Sequence, residues 1–177
     1  IAGLSYQICS LPGVFSHGAV DIGTRVLLEN LPRYHAGRVL DFGCGAGYIG
    51  CFVALNNPNA KVVMSDVSAL AIHCATQSAK LNKLTVDVIP SDGLSALSNK
   101  FTTIITNPPF HTGIQTDYSV TETFISDCKK FLTSEGSLIL VANQFLRYAE
   151  LLEKQFKSVT LVHQTTKFSV YSCLRAK

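Results

Sequence analysis

The 177 residues are 47% hydrophobic and only 15% charged, with a formal net charge of +3 at pH 7 and a mean hydropathy of +0.26. That length suits one domain with a substantial core, and the charge falls short of the ~25% usual for soluble proteins, so part of the surface is expected to be covered within a longer protein. No apolar run approaches the ~20 residues of a membrane span, no secretory or transit pattern opens the chain, and Lys and Arg are spread evenly among Asp and Glu, with no basic tail to capture nucleic acid.

The chain opens at Ile1 on a strand-like run, Leu4 to Leu11, as a piece cut from a longer protein would. A helix is expected from Asp21 to Leu31. The strand Arg38 to Phe42 then runs into Gly43-Cys44-Gly45-Ala46-Gly47, where Gly43, Gly45 and Gly47 let the backbone approach a ligand and the next helix, Tyr48 to Asn56, offers free N–H groups. Gly45-x-Gly47-x-x-Gly50 also satisfies the dinucleotide fingerprint, so the loop alone leaves a nicotinamide enzyme open. Asp41, just before the glycines, favours the cationic amino group of S-adenosylmethionine over a pyrophosphate.

Asn57-Pro58-Asn59 makes a turn into the strand Lys61 to Asp66. Asp66 lies close to the ~20-residue offset at which an acid takes the ribose hydroxyls of an adenosine cofactor. A helix follows from Ser68, an N-cap, to Asn82, then the strand Thr85 to Pro90 and the turn Ser91-Asp92-Gly93, where Asp92 falls within reach of an adenine amino group. Each of these acids alone reads equally as a turn or cap residue; three at successive strand ends read as a site.

The strand Thr102 to Thr106 delivers Asn107-Pro108-Pro109-Phe110. Prolines fix the backbone, so the Asn107 amide oxygen and the Pro108 carbonyl form two rigid acceptors for the hydrogens of an exocyclic amine, whose lone pair is delocalised and attacks poorly unless oriented. Phe110 offers a face on which a base stacks. The following His111 reads as a structural or substrate-contacting group rather than a general base. The remaining elements are a helix Thr121 to Leu132, a turn at Ser134-Glu135-Gly136, a strand Ser137 to Ala142, a helix Tyr148 to Phe156, and strands Ser158 to Gln164 and Phe168 to Arg175. The last two lie too close for a crossover and must pair antiparallel. The six cysteines are scattered without zinc spacing, so no metal is expected and a reducing, cytoplasmic setting fits.

With these residues in place, the chain resembles the class I S-adenosylmethionine methyltransferases, and most closely the catalytic domain of the small-subunit ribosomal RNA guanine-N2 methyltransferases of type C. The resemblance rests on Leu11-Pro12-Gly13-Val14-Phe15-Ser16, Asp21-Ile22-Gly23-Thr24, the Asp41 to Gly47 loop, Asp66-Val67-Ser68, Asn107-Pro108-Pro109-Phe110-His111 and Val141-Ala142-Asn143. It implies a doubly wound, mainly parallel seven-stranded Rossmann-like α/β sheet ending in an antiparallel hairpin, one domain over residues 1–177, and S-adenosylmethionine as cofactor. Residues 1–19 would close over that cofactor, with Phe15, Asp21 and Thr24 near its methionine end and Asn107 serving both cofactor and catalysis.

The resemblance further implies small-subunit ribosomal RNA or the assembled subunit as partner, together with an N-terminal half of the same protein. His17-Gly18 stands where relatives commonly have Arg-Asp, so no role of that pair carries over. DNA amino methyltransferases and glutamine methyltransferases share the tetrad, and a scaffold that has lost its chemistry is the non-enzyme alternative.

Overall fold

The strands that carry the molecule are short β-branched runs, and the structure, a computed structural model, places seven of them in one sheet. It describes residues 1–35, 37–108, 116–144 and 148–175, with the side chains of 116–121 left out. The strands are β1 (Arg38–Phe42), β2 (Lys61–Asp66), β3 (Asp87–Pro90), β4 (Phe101–Thr106), β5 (Leu132–Asn143), β6 (Ser158–Gln164) and β7 (Phe168–Leu174), in the order β3-β2-β1-β4-β5-β7-β6. The first five are parallel; β7 runs antiparallel between β5 and β6, as the missing crossover requires.

Period-two alternation splits the core into two layers. Leu40, Ile104, Leu138 and Leu140 face α4 (Thr116–Phe131) and α5 (Tyr148–Gln155), where Ile125 and Leu152 meet them. Val39, Ile105, Ile139 and Val141 face α1 (Ile22–Glu29) and α2 (Tyr48–Asn56), and α3 (Ala69–Leu81) packs on the same side through Ala75. Asp21 caps α1 by accepting from the Thr24 N–H, and Ser68 caps α3 by accepting from the Ala71 N–H.

Three expectations are corrected. Leu4 to Leu11 joins no sheet. Its backbone bonds to side chains of α3 and its C-cap instead: Asn82 accepts from the Gln7 N–H and donates to the Gln7 carbonyl, and Ser78 Oγ accepts from the Cys9 N–H. The turn expected at Ser134-Glu135-Gly136 lies inside the bounds of β5. Pairing jumps from Phe101↔Leu132 to Thr103↔Ser137, so the intervening residues bulge out of the ladder. The helix expected from Thr121 begins earlier, at Thr116. Among the described residues no helix is long and apolar enough to cross a membrane.

Candidate functional site

The order of the strands reverses between β1 and β4, which opens a crevice at their carboxyl ends. Three hydrogen bonds knit that edge together: Thr106 Oγ1 to the Phe42 carbonyl, the Cys44 N–H to the Ser65 carbonyl, and the Ser91 N–H to the Asp66 carbonyl. A cleft of about 240 Å³ lies there, lined by Gly13, Val14 and Phe15 from the amino-terminal segment, Phe42, Gly43 and Gly45 from β1 and its loop, Ser65 to Ser68, Ala71, Ser91, Gly93 and Asn107. An adjoining compartment of about 20 Å³ shares Phe15, Gly43, Gly45 and Asn107 and adds Ser16, Thr24, Cys44, Ala46, Tyr48 and Ile49.

The glycine loop is built for close approach. Gly43 and Gly45 adopt φ of 67° and 52°, a region where a side chain is strained, and both face the cleft. Gly47 and Gly50 serve packing instead. A Cβ on Gly50 would stand 2.5 Å from Met64 Cε and 2.6 Å from its Cγ, so the glycine leaves the space that the Met64 side chain fills between α2 and β2.

Asp66 uses both oxygens on backbone: Oδ2 accepts from the Gly45 N–H at 2.9 Å and Oδ1 from the Ser68 N–H at 2.9 Å. It thereby fixes the loop to the end of β2 while keeping lone pairs toward the cleft. Asp41 is placed differently from Asp66. Alternation sends its side chain with Val39 toward α2, where it is 1% exposed; Oδ2 accepts from the Gly50 N–H at 2.8 Å and the buried Oδ1 has no partner. Burial lifts its carboxyl to about 7, against the pull of the Gly50 bond and with a smaller push from Asp66. Asp41 braces the loop from beneath and does not line the cleft.

Asp92 is exposed, and its neighbours Ser91 and Gly93 line the cleft in its place. A serine turn at a strand end was visible in the sequence; the direction of its side chains was not. Val67 and Phe42 were likewise missed as wall residues, although each follows an acid that was singled out. Phe42 stacks on Phe124 at 4.2 Å between ring centroids, which holds its ring at the cleft.

Asn107 ends β4 at the junction of the two compartments. Its amide nitrogen donates to Asp21 Oδ2 at 3.0 Å and to Thr24 Oγ1 at 2.9 Å. A carboxylate accepts only, so Asp21 fixes which end of the amide faces it and turns the Asn107 oxygen the other way. Asp21 is itself held by the Ser16 hydroxyl, which accepts from the Asp21 N–H, and by Gly23, where a Cβ would stand 2.9 Å from the Asp21 carboxylate. Asp21 therefore acts behind Asn107, whereas Thr24 and Phe15 reach the cleft itself. Pro108 is buried directly after Asn107; Pro109, Phe110 and His111 lie outside the described residues.

Five of the six cysteines are buried, and burial pushes the Cys51 thiol up to about 12 and Cys44 well above its ordinary value. Neither is a ready nucleophile.

Residues 5–172 match the methyltransferase small domain. A ribosomal RNA small subunit methyltransferase C of Pseudoalteromonas atlantica is 63% identical over 99% of this chain and 51% of its own length, and that of Pseudoalteromonas translucida is 51% identical over 97% and 50%. A T. thermophilus 16S rRNA N2 methyltransferase, solved in complex with AdoMet and guanosine, superposes with a TM-score of 0.88 at 30% identity, covering 99% of this chain and 48% of that one. The chain spans about half the length of the curated relatives it matches.

Proposed function

The chain belongs to the methyltransferase small domain family, and we propose that it moves a methyl group from S-adenosylmethionine to the N2 amine of a guanine in small-subunit ribosomal RNA. The observation that carries this reading is the clamp on Asn107. An amide whose nitrogen is spent on Asp21 and Thr24 presents its oxygen as a fixed acceptor, which is what an unreactive aryl amine needs from a protein.

The residues of the cleft suit the cofactor. Asp66 supplies a carboxylate for vicinal hydroxyls, Val14, Phe42 and Val67 supply apolar walls for a base, and Ser65 Oγ is a buried polar atom without a partner at the same wall. Bound there, S-adenosylmethionine brings an electrophilic methyl on a sulfonium that is already a good leaving group. The work left to the chain is orientation: Asn107 Oδ1 and the Pro108 carbonyl receive the two N–H groups of the amine and favour the nitrogen geometry of attack, with Phe110 as the stacking face for the base. The small compartment beside Thr24 and Phe15 suits the amino-acid end of the cofactor, and Asp41, one layer below, holds the glycine loop in place through the Gly50 N–H. A ribosomal RNA substrate implies a cytoplasmic setting and, given the length of the relatives, a covering half of the same protein as a second partner.

The test is Asn107→Ala, incubated with labelled S-adenosylmethionine and naked small-subunit RNA, assembled subunits or DNA. Cofactor affinity should change little while turnover on RNA falls about 10²–10³-fold, the loss of one pre-organised transition-state bond. Wild-type transfer by the folded, cofactor-bound variant would overturn the reading.

A further inference from the structure

Charge that is evenly mixed along the sequence is sorted by the fold. Parallel strands begin at one edge of the sheet and end at the other, and every strand except the outer β3 has a cation at the beginning edge. Lys61 opens β2, Arg38 opens β1, Lys100 precedes β4 and Lys157 precedes β6, while antiparallel β7 returns to the same edge and delivers Arg175. Lys130, at the end of α4, stands before β5. Neighbouring strands lie about 4.8 Å apart, so this row runs for about 24 Å.

Lys61, Lys100 and Lys157 are exposed and make no ion pair with any described residue; Lys130 pairs with Asp127 on its own helix. Asp87 at the outer strand β3 and Glu135 in the β5 bulge are exposed acids of this edge. The cleft edge has the opposite balance, with Asp21, Asp66 and Asp92 against Arg25 and Lys167.

A helix C-terminus attracts cations for its own sake, which accounts for Lys80, Lys130 and Lys154 in last turns. It also draws Lys100, whose Nζ donates to the Lys130 carbonyl at the end of α4 at 3.0 Å, but it does not account for Lys61 and Lys157, which lie beyond the helices at strand ends, where net dipoles are small. The row lies one strand length, about 15–20 Å, from the cleft, too far to serve the nucleotide held there.

We infer that the amino edge of the sheet is a docking surface for the phosphate backbone of a second, non-target segment of the substrate RNA. This rests on the reading of RNA as the substrate. A structured RNA offers phosphates on several sides at once, and a molecule negative at its cleft and positive behind it is drawn to RNA by the rear face and presents the cleft to a base.

The test compares Lys61→Gln/Lys100→Gln/Lys157→Gln with Arg25→Gln/Lys167→Gln, both in this chain, by titrating small-subunit ribosomal RNA at several salt concentrations and S-adenosylmethionine by calorimetry. Each phosphate contact contributes about 0.7–0.9 to the slope of log affinity on log salt, so the rear triple variant should lose about 2–3 of that slope. Its affinity drop between about 50 and about 200 mM salt then shrinks about 20- to 40-fold relative to wild type, with cofactor affinity unchanged. An unchanged slope overturns the inference, as does an equal loss in the Arg25/Lys167 variant or no measurable RNA binding by the wild-type chain. Loss of polyglutamate binding with the RNA slope intact overturns it in favour of an acidic protein. If the chain binds RNA with the expected slopes and transfers no methyl to it, the catalytic reading fails while the docking surface stands.

Discussion

Replacing Asp41 by Asn exchanges one oxygen for nitrogen at a position 1% exposed and retains an acceptor for the Gly50 N–H, so the change isolates the cost of the buried charge. In the folded chain the carboxyl titrates at about 7, raised chiefly by burial, against 3.8 in the absence of the fold. Below the unfolded value both states hold the proton and Asp41 opposes folding little. As pH rises from about 4 toward 7 the unfolded chain gives up its proton first, so the native state binds more protons and stability falls; above about 7 both are ionised and the loss levels off. A rise of about three pH units, at 1.36 kcal/mol each, puts the total at about 4 kcal/mol. Urea unfolding of both proteins across about pH 4 to 8 reads the difference directly: the Asn variant should gain on wild type by a few kcal/mol over that window, most steeply between about 4 and 7. A difference constant to within about 0.5 kcal/mol across the range refutes the reasoning, because the carboxylate would then be solvated or paired in the folded state.

Asp66→Ala removes a carboxylate that holds the Gly45 and Ser68 N–H groups and faces the cleft, and calorimetry should show S-adenosylmethionine binding weakened by about 1–3 kcal/mol; unaltered affinity removes Asp66 from the site. Gly50→Ala drives a methyl group into Met64 and should cost about 1–3 kcal/mol of stability in thermal or urea unfolding. Combining it with Met64→Val should recover part of that loss, and strict additivity of the two changes would show that the contact is not the cause.

The order and type of nearly every element were legible in the chain because they rest on local physics. Strands β1, β2 and β6 and helix α2 keep their expected bounds: β-branched runs between turn residues specify a strand, and Gly47 at φ 87° specifies where α2 starts. The sequence likewise marked Asp66, Asn107 and the glycine loop, since a carboxylate at a strand end, a rigid Asn-Pro pair and a left-handed turn each carry their chemistry with them. What it left undetermined depends on partners far along the chain. Asp41 and Asp66 look alike as strand-end acids, yet Asp41 pairs level with Met64 beneath α2, while Asp66 lies two residues farther toward the carboxyl edge and so reaches the cleft. Leu4 to Leu11 has the composition of a strand, but Ser78 and Asn82 take its backbone before any strand does. Asp21 and Asn107 are separated by 86 residues and meet only because α1 packs across the sheet end. The sorting of evenly spread charge into a positive rear edge and a negative cleft likewise exists only once parallel strands align their starts, because a sequence records the spacing of charges along the chain, and the sheet sets their spacing across it.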